Sequence, residues 1–253
     1  MNLEVSRASQ IVALKLWRDN PNTPVMVELP SGSFLMGENE GDKFANDTER
    51  PAHPVNIPAG ISISRDPVTV GEFRQFVPGH APDEEDDLPV VNVSWNDAGA
   101  YCVWLSEVTE RAYRLPSEAE WEFSCRANSR TAFAWGDEIT PNKANYLYDE
   151  SGIKVGAGHR MVAGTYQAND FGLHDFHGNV CEWVEDTWHS SYVDAPNDGS
   201  AWVKPMDLRR AVRGGAWDYL PRLLRSPWRD WDFADEKRDN LGFRVATNCR
   251  LSA

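Results

Sequence analysis

The sequence predicts one α+β domain with little regular secondary structure. Readable helix starts lie in the first half of the 253-residue chain, whereas the second half consists of turns, short apolar runs, glycines and tryptophans. Neither an internal repeat nor a low-complexity linker separates the halves. Residues 1–253 are therefore expected to form a single domain, which is long enough to bury a sizeable core.

The first elements are predicted from hydrophobic periodicity. Ile11, Leu14 and Trp17 recur near the 3.6-residue period within residues 6–19, which favours an N-terminal helix inside residues 1–23. The prolines of "NPNTP" end it. The stretches "VMVELP", "SGSFLMG" and "HPVNIPAGISIS" alternate as strands do.

Three further helices have recognisable starts. Thr69 followed by Glu72, and Ser117 followed by Glu120, have the spacing of a capping box. Ser94 precedes a third helix, on which Cys102 falls on the apolar face and is expected to be a packing residue.

Charge and composition exclude several classes of function. The formal net charge of −14 argues against nucleic-acid partners and against anionic membrane surfaces. The N-terminus lacks the pattern of a secretory signal, and no stretch approaches the roughly 20 apolar residues that span a bilayer, so a cytoplasmic protein without membrane insertion is expected.

The cysteines are expected to be reduced and buried. They lie far apart and show no spacing typical of a zinc site. The four are Cys102, Cys125, Cys181 and Cys249.

Many motifs, in order from about residue 24 to 247, resemble the formylglycine-generating, sulfatase-modifying factor family. They include "VELPSGSFLMG", "LPVVNVSWNDAGAYCVWLSE", "YRLPSEAEWEFSCRA", "NDFGLHDFHGNVCEWVED", "RAVRGGAW" and "NLGFRVA". The resemblance implies the fold that this family shares with C-type lectins. It also implies a range of functions: oxidation of a peptide cysteine with copper and oxygen, formation of sulfur–carbon bonds, or binding without catalysis. The site must therefore decide the function.

The copper ligands of the oxidase members are replaced. In those members "RGG" is followed by Ser, an aromatic residue, one further residue, Cys, and a second Cys five positions on. Here the Ser position is Ala216, and the two Cys positions are Tyr219 and Leu224. Neither side chain can replace a thiolate for Cu(I). Cys181 occupies a position where the family usually has Trp. No copper is expected.

The histidines do not indicate a metal centre. The sulfur–carbon bond-forming relatives use histidines and a carboxylate on a helical domain that has no counterpart here. His174 and His177 lie three residues apart, but His177 is a usual residue of the family's "DxHGN" turn and is expected to make structural hydrogen bonds.

Calcium is the metal that the resemblance implies. The family turn would bind it through the side chains of Asp175 and Glu182 and the carbonyls of Gly178 and Val180, and hard oxygen ligands suit this ion. The alternative is that both carboxylates bind backbone amides. A second family site begins at Asn145 and Tyr146 but departs from the pattern at Val155.

The C-terminal segment, residues 210–244, is interpreted as a binding groove for a protein or a small ligand. Aromatic residues and arginine dominate binding hot spots. Arg213 and Arg244 are expected to be buried scaffold, Trp217 to be core, and Arg222, Arg225 and Arg229 to pair with nearby aspartates. The candidate ligand-binding residues are Asp218, Tyr219, Leu220, Leu223, Trp228, Asp230, Trp231, Asp232 and Phe233, with a place in the core as the alternative for Trp228.

Three hypotheses remain open. Ligand-display members of the fold are diversified by retroelements through mutation of template adenines, and "WDYLPRLL" and "DNLGFR" resemble such a frame. Trp231, Glu236 and Lys237 count against the simplest version, because an Asn codon ending in C does not reach them. The second hypothesis is a fixed binding protein or pseudoenzyme. The third is a metal-dependent oxidoreductase.

Overall fold

The computed structural model describes residues 15–38 and 41–248. It confirms the α+β class, with short strands and few helices. The helices are α1 (Val70–Arg74), α2 (Trp95–Thr109) and α3 (Glu118–Arg126), and short 3-10 turns span Asp47–Glu49 and Pro221–Leu223.

The strands form three sheets. They are β1 (Leu16–Trp17), β2 (Met26–Glu28), β3 (Gly32–Met36), β4 (His53–Ile57), β5 (Ile61–Ser64), β6 (Tyr113–Arg114), β7 (Cys181–Thr187), β8 (Arg209–Arg213), β9 (Arg229–Phe233), β10 (Leu241–Phe243) and β11 (Ala246–Asn248). The orders are β1-β2-β5-β11-β6, β10-β7-β8-β9 and β3-β4.

The predicted helix starts are confirmed. Thr69 accepts a hydrogen bond from the Glu72 backbone N–H while the Glu72 carboxylate accepts one from the Thr69 N–H, which is a complete capping box. Ser117 with Glu120 does the same at α3. Ser94 forms a third box, with Asp97 as its partner.

The predicted N-terminal helix is wrong where the structure describes it. Leu16 and Trp17 form β1, antiparallel to β2, and the Trp17 indole N–H donates to Ser62 Oγ. Strand pairing and core contact override the local 3.6-residue spacing. Residues 6–14 of that prediction lie outside the described residues.

The four-stranded sheet separates two apolar cores. Alternate residues of a strand point to opposite faces. Trp183 and Val212 therefore join α2 and Phe243 on one face, while Val184 and Ala211 join α3 and the five-stranded sheet on the other. The C-terminal segment enters through β8, turns, and returns as the edge strand β9. Among the described residues no helix is long and apolar enough to cross a membrane.

Candidate functional site

A tight glycine turn joins β8 to the rest of the C-terminal segment. Gly214 and Gly215 have φ of 93° and 67°, which is the left-handed region. A Cβ at Gly215 would lie 2.6 Å from the Leu223 carbonyl oxygen, so a side chain is excluded by contact as well as by backbone conformation. After the turn, Ala216 packs in the core with Trp183, and the Trp217 N–H donates to the Asn179 carbonyl at 3.0 Å.

Leu224, at the position of the second oxidase cysteine, is core. It is fully buried and packs with Phe133 and Tyr146. His177 Nδ1 donates to the Leu224 carbonyl at 2.7 Å, and His177 Nε2 accepts from the Ala134 N–H at 3.1 Å. This neutral tautomer agrees with burial, which lowers the pKa of His177 to about 4. His177 therefore makes structural hydrogen bonds, as predicted.

Tyr219, at the position of the first oxidase cysteine, is half-buried. Its ring meets Trp228 edge to face, with centroids 5.7 Å apart, and its hydroxyl accepts from Arg238 Nη1 at 3.3 Å. Cys181 lies buried in the core that contains Trp183 and Val212, against which Tyr219 packs. Tyr219 thus contributes packing and one hydrogen bond where the oxidases have a metal ligand.

The thiols of the described residues do not form a soft metal site. Cys102, Cys125 and Cys181 are free and buried, and Cys249 lies outside the described residues. Burial raises the pKa of Cys125 to about 12 and those of Cys102 and Cys181 further above their usual value. Because Cu(I) binds thiolates, these residues do not fit the copper site of the oxidase members.

The nine predicted binding residues do not form one surface. Trp228 is only 6% exposed and belongs to the interior, so its placement on a surface is wrong. Leu220 directly precedes the 3-10 turn, and Leu223 is its last residue. Four of the other six, Asp230, Trp231, Asp232 and Phe233, lie on β9 and alternate between its two faces, because neighbouring residues of a strand point in opposite directions. Asp218 and Tyr219 precede the 3-10 turn.

One face of β9 is polar. Asp230 and Asp232 share it with Arg238, whose Nε lies 3.2 Å from Asp232 Oδ2. Asp218 lies beside them and accepts two hydrogen bonds from the Asn240 amide, at 2.9 and 3.1 Å. This polar face consists of Asp218, Tyr219, Asp230, Asp232, Arg238 and Asn240.

The other face of β9 is apolar and partly accessible, with the half-buried Trp231 packed against the core that contains Val184 and Ala211. The rings of Trp231 and Phe233 meet at 5.4 Å and nearly at right angles, and the Arg209 guanidinium lies 5.5 Å from the Trp231 ring centroid. Phe233 is 48% exposed and Leu208 is 66% exposed. This apolar face consists of Leu208, Trp231 and Phe233. Trp217, predicted to be core, is half-buried.

The arginines of the segment pair with distant acids, contrary to the predicted local aspartate pairs. Arg222 binds Glu150 at 2.6 Å. Arg225 binds Glu49 and Asp42, at 2.6 and 2.8 Å. The fourth acid, Glu118 on α3, accepts Arg229 at 2.6 Å and Arg213 at 2.9 Å.

These buried pairs hold the segment against α3. Burial alone would raise the pKa of Glu118, but the guanidinium groups of Arg229 and Arg213 hold it at about 2. Arg213 also binds Glu122 at 2.7 Å. Arg213 and Arg244 are fully buried, which confirms their predicted scaffold role.

The acidic side chains of the implied calcium turn already have partners. Glu182 is fully buried, and its two oxygens accept from Arg244 at 2.6 and 2.7 Å and from the Trp121 indole at 2.7 Å. Asp175 Oδ2 accepts the Gly164 N–H at 2.8 Å. A calcium ion at Glu182 would have to displace Arg244. The side-chain donors therefore do not fit the implied set, and calcium binding itself stays a prediction.

At the second implied calcium position, Asn145 Nδ2 donates to the His159 carbonyl and to Asn179 Oδ1, at 2.9 and 3.1 Å. These bonds fix the amide through its nitrogen and do not involve the oxygen that would bind calcium. Within residues 15–38 and 41–248, no group of three or more His, Cys, Asp or Glu side chains is placed to hold a metal ion.

A cleft beside the C-terminal segment was not indicated by the sequence. Its volume is about 480 Å³, and it lies between residues 41–44, residues 130–139 and the 3-10 turn. Its apolar lining includes Phe44, Phe133, Ile139 and Pro221. The cleft (called the side cleft below) is built from three segments whose residues form no local motif, so no sequence signal marks it.

Comparison with known proteins agrees with this architecture. Residues 15–249 match the family model of the sulfatase-modifying factor enzyme 1-like domain. The chain is 30% identical to mouse "Inactive C-alpha-formylglycine-generating enzyme 2", over 89% of this chain and 86% of that protein. Other relatives are named simply formylglycine-generating enzyme.

Solved structures show the same fold. PvdO from Pseudomonas aeruginosa superposes with a TM-score of 0.84 at 32% identity, over 92% of this chain and 98% of that one. Treponema denticola variable protein 1 superposes with a TM-score of 0.78 at 19% identity, over 93% and 99%. The predicted C-type-lectin-like fold is confirmed, and the chain belongs to the family of sulfatase-modifying factor enzyme 1-like domains.

Proposed function

We propose that this chain is a ligand-binding member of the family that lacks the thiolate–copper oxidase activity, and that residues 218–233 contact its ligand. One observation carries the proposal: the two oxidase cysteine positions hold Tyr219, which bonds to Arg238, and Leu224, which is fully buried. A thiolate pair is absent at the only place where the family pattern would put one.

The accessible part of the segment suits binding. Trp231 and Phe233 lie on the edge strand of the four-stranded sheet, next to the exposed Leu208. Rigid aromatic rings on a fixed strand lose little conformational entropy when they contact a partner. The buried ion pairs of Arg213 and Arg229 with Glu118 connect that sheet to α3 and hold the strand in place.

The relatives are compatible with a role without oxidation and do not identify the ligand. The mouse and cattle relatives are named inactive, others are named formylglycine-generating enzyme, and one structure of the same fold is named a variable protein. Diversification by a retroelement is one form of this proposal, and a fixed groove with one ligand is the other. Sequencing the codons for residues 210–244 in a natural population, together with flanking DNA, separates them: concentrated first- and second-position variation beside an adenine-rich near-copy supports diversification.

The oxidase alternative is tested directly. We would measure Cu(I) affinity by competition with bathocuproine disulfonate, and oxygen uptake with a cysteine-containing peptide. The wild-type chain is expected to show neither tight Cu(I) binding nor peptide-dependent oxygen uptake. The double variant Tyr219→Cys/Leu224→Cys serves as the positive control for Cu(I) binding. Peptide oxidation by the wild-type chain would overturn the proposal and favour the metal-dependent oxidoreductase.

The binding surface is tested separately. Peptides and metabolites that bind the wild-type chain would be measured again with Trp231→Ser/Phe233→Ser. Binding is expected to be lost. Because Trp231 also packs against the core, the single variant Phe233→Ser, at an exposed position, shows whether binding is weakened while the melting temperature stays close to that of the wild type. Ligands whose affinity is unchanged by these substitutions would place the binding surface elsewhere.

A further inference from the structure

The side cleft differs in charge from the protein around it. Four acids and four bases line it, so it is formally neutral, whereas the whole chain has a net charge of −14. The eight are Glu38, Asp42, Lys43, Arg130, Asp137, Glu150, Arg222 and Arg225. Their pairing decides which charges a ligand would meet.

Two of the four bases are already neutralised. Arg225 is almost fully buried, and Glu49 and Asp42 accept its hydrogen bonds at 2.6 to 3.0 Å. Arg222 donates from its backbone N–H and from Nη1 to Glu150, both at 2.6 Å. These pairs fix the wall of the side cleft and leave no unpaired positive charge at Arg222 or Arg225 for a ligand.

The other two bases face the side cleft without an acidic partner in the described part of the chain. Lys43 and Arg130 are exposed and form no ion pair there. The Lys43 ammonium lies 4.7 Å from the Phe44 ring centroid, so it stays at the aromatic wall. Glu38 and Asp137 are the other two acids of the lining, and one Asp137 oxygen accepts the Ala132 N–H at 3.0 Å.

The uncharged residues that line the side cleft are apolar. Phe133 is 4% exposed, stacks on Trp135 with centroids 5.7 Å apart, and is held edge-on by His177. Pro221 is buried at the start of the 3-10 turn, and Phe44 is half-buried. A volume of about 480 Å³ falls in the range of small-molecule sites.

We propose that the side cleft binds a small anionic ligand with a flat apolar body, whose acidic group pairs with Lys43 and Arg130 while its rings lie against Phe44 and Phe133. This inference rests on the proposed binding function and names the ligand class. Partial desolvation at the apolar walls strengthens a charge pair relative to one in open water. A neutral compound of the same shape would gain the apolar contact but not the pair.

The test uses two fluorescent probes with the full chain at low salt. The anionic probe is 8-anilinonaphthalene-1-sulfonate, and the neutral one is N-phenyl-1-naphthylamine, which has the same rings. We expect Lys43→Gln/Arg130→Gln to weaken binding of the anionic probe about tenfold and to change that of the neutral probe less than about twofold. Phe44→Ala is expected to weaken both.

Matched controls separate the side cleft from the overall charge. Lys154→Gln/Lys204→Gln removes the same two charges from exposed positions outside the side cleft and is expected to leave both affinities unchanged. Trp231→Ser/Phe233→Ser reports probe bound at the apolar face of β9. All substituted bases are exposed, so melting temperatures should match the wild type.

Three results would overturn the inference. The first is equal affinity of the anionic probe for Lys43→Gln/Arg130→Gln and for Lys154→Gln/Lys204→Gln. The second is an equal loss of affinity for the neutral and the anionic probe in Lys43→Gln/Arg130→Gln. The third is unchanged affinity of both probes for Phe44→Ala. The proposed function is tested by a separate experiment, and peptide oxidation by the wild-type chain would reject it whatever the probes show. Charge-selective probe binding in a chain that also oxidised peptides would keep the side cleft and reject only the non-oxidase role.

Discussion

Arg244 holds both carboxylate oxygens of Glu182, with Nε 2.6 Å from Oε2 and Nη2 2.7 Å from Oε1, and both side chains are fully buried. The Arg244 guanidinium also lies 3.7 Å from the Phe176 ring centroid. The pair ties β7 to the chain that follows β10, directly beneath the implied calcium turn. Burying a charge without its partner lowers the stability of the fold, so replacing either member of this pair is expected to destabilise the protein.

Glu182→Gln should therefore destabilise the protein by about 3–5 kcal/mol, because it leaves the Arg244 guanidinium buried without a counter-charge. Urea unfolding of the wild type and the variant measures this loss. The same geometry predicts that calcium leaves the melting temperature of the wild type unchanged relative to EGTA. A calcium-dependent rise that disappears in Glu182→Gln would instead support the calcium site implied by the sequence.

Trp228 and Phe233, both predicted as binding residues, should respond differently to truncation. Trp228→Ala is expected to cost about 3–5 kcal/mol, because its ring is 6% exposed and packs against Tyr219. Phe233→Ala is expected to cost less than about 1 kcal/mol, because half of its ring is already in water. Denaturant midpoints compare the two directly. Equal losses would show that Phe233 is core and remove it from the apolar face.

Glu72 should make stability depend on pH. Burial raises the pKa of Glu72 to about 7, against the opposing effect of the hydrogen bond from the Thr69 N–H. The folded value exceeds the unfolded value near 4.5, so the stabilisation is complete below pH 4.5 and is lost as pH rises through 7.

Glu72→Gln keeps the capping box and removes the titration. Between pH 4.5 and 8 the variant should gain on the order of 1–2 kcal/mol relative to the wild type, a figure reduced because the carboxylate is partly exposed. Melting temperatures across this range provide the measurement, with the exposed Glu107→Gln as the matched control. A difference that does not change with pH would contradict the raised pKa.

The three described thiols should be inert in the native protein. Cys102, Cys125 and Cys181 are fully or almost fully buried, and burial raises their pKa values well above neutral pH. Because the thiolate is the reactive form, a thiol reagent such as DTNB should label none of them quickly. In a Cys249→Ser background, labelling should appear only after addition of denaturant. Fast labelling of one equivalent without denaturant would identify an exposed or activated thiol.

The sequence by itself determined the helix starts and the family. A capping box is a contact between residues three apart, so Thr69 with Glu72 and Ser117 with Glu120 can be recognised without the fold. The loss of the oxidase cysteines is equally local, since Tyr219 and Leu224 are found by counting from "RGG". The strands β2 to β5 follow from alternation, which is also a local pattern.

Only the tertiary structure decided where the arginines and the candidate binding residues lie. Arg229 pairs with Glu118 across 111 residues and Arg225 with Glu49 across 176, whereas the sequence suggested aspartates nearby. Ion pairs depend on distance in space, and no spacing rule reports contacts of that length. The two faces of β9, the strand at Leu16–Trp17 and the side cleft have the same origin, because each depends on a neighbour that is distant in the chain and is brought close only by packing.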